Sequence, residues 1–145
     1  MSDAKTGTVR ITHRYAFAAE RVFDAWIDPV VARGWLFRAP GGQIVRADID
    51  ARVGGCFTIV DRRADGDAEH VGRHVEIERP RRLAFDFSVP KYSTLETRVT
   101  IDIVPAGTGC ELTLTHDGVL RDYLERTREG WTLMLQRLDD HLAAR

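Results

Sequence analysis

Apolar and polar positions alternate from residue 8 to residue 15, with Val9, Ile11, His13 and Tyr15 on one side and Thr8, Arg10, Thr12 and Arg14 on the other. That period of two predicts a half-buried strand. Residues 19–27 set Val22, Phe23, Trp26 and Ile27 at helical spacing, and Pro29 ends the helix because proline disfavours helical backbone in the residue before it. A second short helix is expected over 30–35.

From residue 44 to residue 116 the period returns to two. Six strands fit it, over 44–50, 56–62, 70–77, 83–88, 95–104 and 110–116. Gly54-Gly55, Asp65-Gly66-Asp67, Arg79-Pro80, Pro90 and the segment 105–109 separate them, each rich in the residues that turns require. Leu120, Leu124, Trp131, Met134, Leu135, Leu138 and Leu142 then recur at steps of three, four or seven, which predicts a long amphipathic helix. No repeat or linker interrupts this order, so residues 1–145 read as one α+β domain. A helix and an antiparallel sheet with one apolar face each bury both most simply when the helix lies across the sheet. Small facing side chains, or a sheet that curves away, would leave a pocket between them.

Composition narrows the function classes. The 145 residues are 43% hydrophobic and 30% charged, as in a globular chain, and the net charge of −1 offers no global field for polyanions or anionic membranes. Nucleic-acid and membrane partners are therefore not expected. No apolar run reaches the roughly 20 residues that span a bilayer, and the start from Met1 to Gly7 lacks the apolar core of a signal peptide. A cytoplasmic location is the expectation. Cys56 and Cys110 are too few for a disulfide framework and are expected to be reduced, packed thiols.

Several strings, taken in order, resemble a known family. They are Arg21 through Trp26 before Asp28-Pro29, Asp50 through Phe57, Gly72 through Glu78 leading to Pro80, Arg82 through Phe85, Gly109 through His116, and Gly130-Trp131. Together they resemble the START-like, or SRPBCC, helix-grip superfamily, and more closely the family named after the activator of the heat-shock protein 90 ATPase. The resemblance implies a curved antiparallel sheet gripping the C-terminal helix, with two short helices after the first strand. In the wider superfamily the cavity between them receives lipids, polyketides, hormones or other apolar molecules. Fold alone does not assign a ligand, and the family has no shared catalytic motif to transfer.

Strand alternation predicts that Phe57, Ile59, Val71, Arg73, Val75, Ile77, Leu83, Phe85, Phe87, Thr97, Val99, Ile101, Leu112, Leu114 and His116 point inward. Arg73 and His116 stand out among apolar neighbours. An inward Arg73 either binds a ligand carboxylate or phenolate through its planar fork, or pairs with a carboxylate or reaches solvent at a strand end. His116, just before Asp117-Gly118, reads either as a pocket group or as a residue of the sheet margin. His13 reads as a hydrogen-bonded packing residue. Trp26, Trp35 and Trp131 either line a pocket mouth or pack the core, where their N–H groups need partners. Gly130 costs up to about 1 kcal/mol inside a helix, which close approach of another element or a ligand would offset, and relaxed local demand is an equally plain account.

Metal and catalytic patterns fail on spacing. His70 and His74 lie about 13 Å apart along a strand, and the segment from Asp61 to Gly72 lacks the glutamate that closes a calcium loop. Cys110 and His116 are about 20 Å apart, too far for a base to activate a thiol. Arg79, Arg81 and Arg82 form a solvated turn, and Gly54-Gly55 precedes a strand where a phosphate cradle needs a helix. No catalytic residue, metal or cofactor is expected. The leading expectation is binding of a small apolar molecule by Trp26, Trp35, Phe57, Arg73, Phe85, Leu114, His116 and Trp131. The alternatives are a chaperone-accessory module, as the resemblance implies, and a cavity-based cyclase, dehydratase or hydrolase using Arg73 or His116. Self-association as a homodimer is a further partner option.

Overall fold

A computed structural model describes residues 5–144; residues 1–4 and 145 lie outside this range. Strand β1 (Thr6–Tyr15) leads through α1 (Ala19–Asp24) and α2 (Pro29–Ala32) to six further strands. These are β2 (Gln43–Ile49), β3 (Cys56–Arg63), β4 (Gly66–Glu78), β5 (Arg82–Val89), β6 (Ser93–Ala106) and β7 (Gly109–Leu120), followed by α3 (Leu124–Ala143). The seven strands form one curved antiparallel sheet in the order β1-β7-β6-β5-β4-β3-β2, a meander that β1 completes by pairing with β7.

The helices obey local chemistry. Asp28 caps α2 by accepting the Val30 N–H at 2.9 Å, with Pro29 at the first helical position, where its missing N–H costs nothing. Both early helices are shorter than periodicity predicted: α1 stops at Asp24, and α2 at Ala32. Apart from the exposed Val30, their apolar residues still face inward, since Phe23, Trp26, Trp35 and Leu36 are buried whether or not the turn beneath them is a regular helix. Leu120, expected in the long helix, ends β7 instead.

Helix α3 lies across the sheet and buries Trp131, Leu135, Leu138 and Leu142 against Leu112, Leu114, Ile101 and Phe85. Polar ties fix it to β1. The Tyr15 hydroxyl donates to the Leu135 carbonyl at 2.9 Å, and His13 Nε2 meets Asp139 Oδ2 at 3.1 Å.

One sheet expectation is overturned. Arg73 is exposed on the outer face, Val71 and Val75 are only partly buried, and His70 and His74 occupy the inner face. The cause is a β-bulge between His74 and Glu76, where the pairing with β5 shifts register. An extra residue inverts the alternation, so the inward parity of Ile77 cannot be carried back past it. Across the sheet Arg73 stands opposite Asp86, whose carboxyl is held low chiefly by hydrogen bonds from Arg98 and further by the Arg73 charge. The arginines around Pro80 are also paired: Arg79 with Asp24, Arg81 with Glu78, and Arg82 with Glu76 and Asp102.

Candidate functional site

The sheet and α3 part where β5 and β7 end, β6 begins and the first half of α3 passes. The resulting pocket has a volume of about 530 Å3. Its apolar wall comprises Phe37, Phe87, Trp131 and Met134, while Tyr92, Leu95 and Tyr123 line it with 56%, 40% and 44% of their surface exposed. Those exposures place the three side chains at the mouth. On α3 the lining positions Arg126, Thr127, Gly130, Trp131 and Met134 recur at helical steps on a face adjoining the buried stripe.

Phe37 is central to the wall. It sits at φ 61°, a left-handed conformation that costs a non-glycine residue about 1–3 kcal/mol and that the surroundings must hold. Its N–H meets Met134 Sδ at 3.1 Å, and its ring stacks on His70 at 4.3 Å. Behind it lies a second space of about 10 Å3, lined by Trp26, Leu36, Ile49, Phe57, Ile59, His74 and Phe85 with Phe37 itself. That is room for about one water. The Trp26 Nε1–H is buried there without a partner.

A hydrogen-bond chain crosses the main pocket. Trp131 Nε1–H donates to His116 Nδ1 at 2.9 Å, and His116 Nε2 lies 2.7 Å from Thr97 Oγ1. Indole can only donate, so Nδ1 is the acceptor and the single proton of a neutral imidazole resides on Nε2. His116 therefore donates to Thr97 and is not arranged to take a proton from it. Burial lowers the His116 pKa to about 4, with Asp117 opposing weakly, which keeps the ring neutral. Burial likewise lowers His70 to about 4, aided by the Arg63 charge; its Nδ1 lies 3.3 Å from the Ile59 carbonyl.

Arg63 reaches the pocket from β3. Its Nε donates to the buried Asp61 Oδ2 at 2.7 Å and its Nη1 to the Tyr92 hydroxyl at 3.1 Å. Asp61 Oδ2 also accepts the Ala39 N–H at 2.9 Å, while Oδ1 has no partner. This cluster pins the segment after α2 to β3 and steadies Tyr92 at the mouth.

The residues singled out in the sequence are distributed unevenly. His116 and Trp131 line the main pocket, whereas Trp26, Phe57 and Phe85 line the small inner space. Trp35 and Leu114 are fully buried packing residues, the former donating from Nε1 to the Ala25 carbonyl at 3.1 Å. Arg73 is remote from both spaces, on the other face of the sheet. Phe37, Tyr92, Tyr123 and Arg126 were not singled out, and His70 was weighed only as a metal ligand. Tyr123 and Arg126 were legible in principle, three residues apart and one helical turn before Gly130. Phe37 carried no signal, because nothing in its neighbours announces a left-handed phenylalanine.

Among the described residues no group of three His, Cys, Asp or Glu could hold a metal ion, and no helix is long and apolar enough to cross a membrane. Cys56 is exposed and Cys110 buried, both unbridged.

The family described as activator of Hsp90 ATPase homolog 1-like protein matches residues 16–143. Solved structures with the same fold include protein CV1439 from Chromobacterium violaceum, with a TM-score of 0.84, 23% identity and coverage of 92% of this chain and 94% of that one. A protein from Rhodobacter sphaeroides gives 0.82 at 23% identity, covering 99% and 97%. CalU16 from Micromonospora echinospora gives 0.72 at 22%, covering 94% of this chain and 76% of that one. No curated protein matches.

Proposed function

The chain belongs to the activator of Hsp90 ATPase homolog 1-like family, a helix-grip fold, and on that basis we propose that it binds a small, mainly apolar molecule between the sheet and α3. The observation that carries this reading is the pocket of about 530 Å3 walled by Phe37, Phe87, Trp131 and Met134. That volume falls within the roughly 300–1,000 Å3 typical of sites for small organic ligands. Because the pocket is a feature of this chain's own geometry, it ranks ligand binding above the chaperone-accessory reading. The orientation of the His116 proton likewise weighs against a hydrolase in which His116 would activate Thr97.

Gly130 supplies the decisive variant. It lines the pocket, and a Cβ built on it meets no atom within 4 Å, so of the accounts the sequence offered, close approach of another protein element falls away. Gly130→Phe should therefore fill the pocket from the helix side and leave the fold intact. Native mass spectrometry of the purified protein, compared with its denatured mass, is expected to show a released small molecule in the wild type and none in Gly130→Phe. Binding of the neutral dye Nile red by the two proteins gives a second measure. Equal binding by both would remove the pocket as the site.

A further inference from the structure

We propose that the pocket selects an organic anion, an apolar body carrying one carboxylate, with Arg126 and Thr97 as the groups that recognise its oxygens. This rests on the pocket being the ligand site and adds the charge of the head group.

Thr97 lines the pocket, and its oxygen already receives the Nε2 proton of His116. Its hydroxyl proton is thereby left to be given, so the Trp131–His116–Thr97 chain presents a donor. Tyr92 is in the same position at the mouth, since its oxygen receives Arg63 Nη1–H at 3.1 Å. Arg63 is committed to the buried Asp61 and holds its neighbour Tyr92 in place. Arg126 differs. Its guanidinium lies 5.3 Å over the Tyr123 ring and takes part in no ion pair among the described residues.

No aspartate or glutamate lines the pocket among the described residues, while two arginines do. Glu129, one turn on from Arg126, is not part of the wall. A cationic head would meet the Arg126 guanidinium with no wall carboxylate to offset it, whereas the charge of Arg63 is already balanced by Asp61. An anionic oxygen finds donors in Arg126, Thr97 and Tyr92, and a carboxylate fits the planar fork of Arg126 in two bonds. The Tyr123 ring beneath that guanidinium attracts it without neutralising its charge. The role that sequence alternation offered to Arg73 thus falls to an arginine on the helix.

The test compares decanoate with decan-1-ol, equal in chain length, the one with an anionic and the other with a neutral head group, by isothermal titration calorimetry at about pH 7.5, where a carboxylic acid is ionised. Decanoate is expected to bind about tenfold more tightly, the size of one charge-assisted hydrogen-bond pair. Arg126→Gln, at an exposed helix position, should remove most of that advantage and leave decan-1-ol binding unchanged. Thr97→Val should remove a smaller part. Equal binding of the two probes, or an advantage that survives both substitutions, overturns the assignment. Failure of both probes to bind also overturns it, and Nile red binding by the same sample then decides separately whether the pocket reading stands.

Discussion

His116 shows how one residue's protonation ties the pocket to stability. In the folded chain it titrates near about 4, against 6.5 for an unperturbed histidine, and His70 behaves alike. Between those two values the unfolded chain binds more protons, so stability is fully present above about 6.5 and is lost as pH falls towards 4. The ceiling is about 3 kcal/mol per histidine. His74, also lowered by burial, adds in the same direction. Urea unfolding at pH 7 and pH 4.5 should show this loss, and His116→Gln should flatten the slope by one histidine's share. An unchanged slope would show that His116 does not carry it. Trp131→Phe should raise the His116 pKa, read by NMR titration of the imidazole, because removing the indole N–H lets Nδ1 accept a proton. His116 was legible as an inward polar residue from its parity with Leu112 and Leu114. Its partner Trp131 was legible only as an apolar helix residue, since their meeting depends on how α3 crosses the sheet.

At the scale of elements, β4 and α3 each turn on a glycine. A Cβ at Gly72 would lie 2.3 Å from the Asp86 carbonyl oxygen and 2.4 Å from Phe57 Cζ. Gly72 gives the Phe57 ring its place, and Gly72→Ala should destabilise the protein by about 1–3 kcal/mol or more, as overpacking against backbone does. Gly130 is the opposite case. With nothing near its Cβ, Gly130→Ala should stabilise the chain by about 0.5–1 kcal/mol, visible as a higher thermal midpoint. A lower midpoint would show that the helix needs the glycine for its own path. The strands and the long helix were readable because their periods differ, whereas the bulge after His74 was not. A bulge is an extra residue relative to a partner strand, and a single strand's pattern contains no partner.

For the whole molecule, the apolar face of the sheet and the apolar face of α3 cover each other over much of the core. Leu135 and Leu138 are fully buried, and the Tyr15 hydroxyl bonds to the backbone of α3. A chain ended at Tyr123 should therefore lose its cooperative thermal transition, measured by calorimetry and near-ultraviolet circular dichroism. Retention of that transition would make the sheet an independently stable unit. The early helices close the same core from the side of β2, with Trp26 packed edge-on against Trp35 at 4.6 Å and 5.9 Å from Trp131. The pocket is what this cover leaves open at one end.

The sequence by itself determined the α+β class, the meander of short-linked strands, the long amphipathic helix and the resemblance to the family. Each of these rests on local periodicity or turn chemistry, which neighbouring residues specify among themselves. Only the tertiary structure decided that Arg73 faces outward, that Phe37 walls the pocket from a left-handed backbone, and that Thr97, His116 and Trp131 form one chain. It also decided that Arg126, unremarkable on a charged helix face, stands at the mouth. These depend on register, crossing geometry and side chains from strands far apart in the chain, and such relations exist only once the sheet and α3 have packed together.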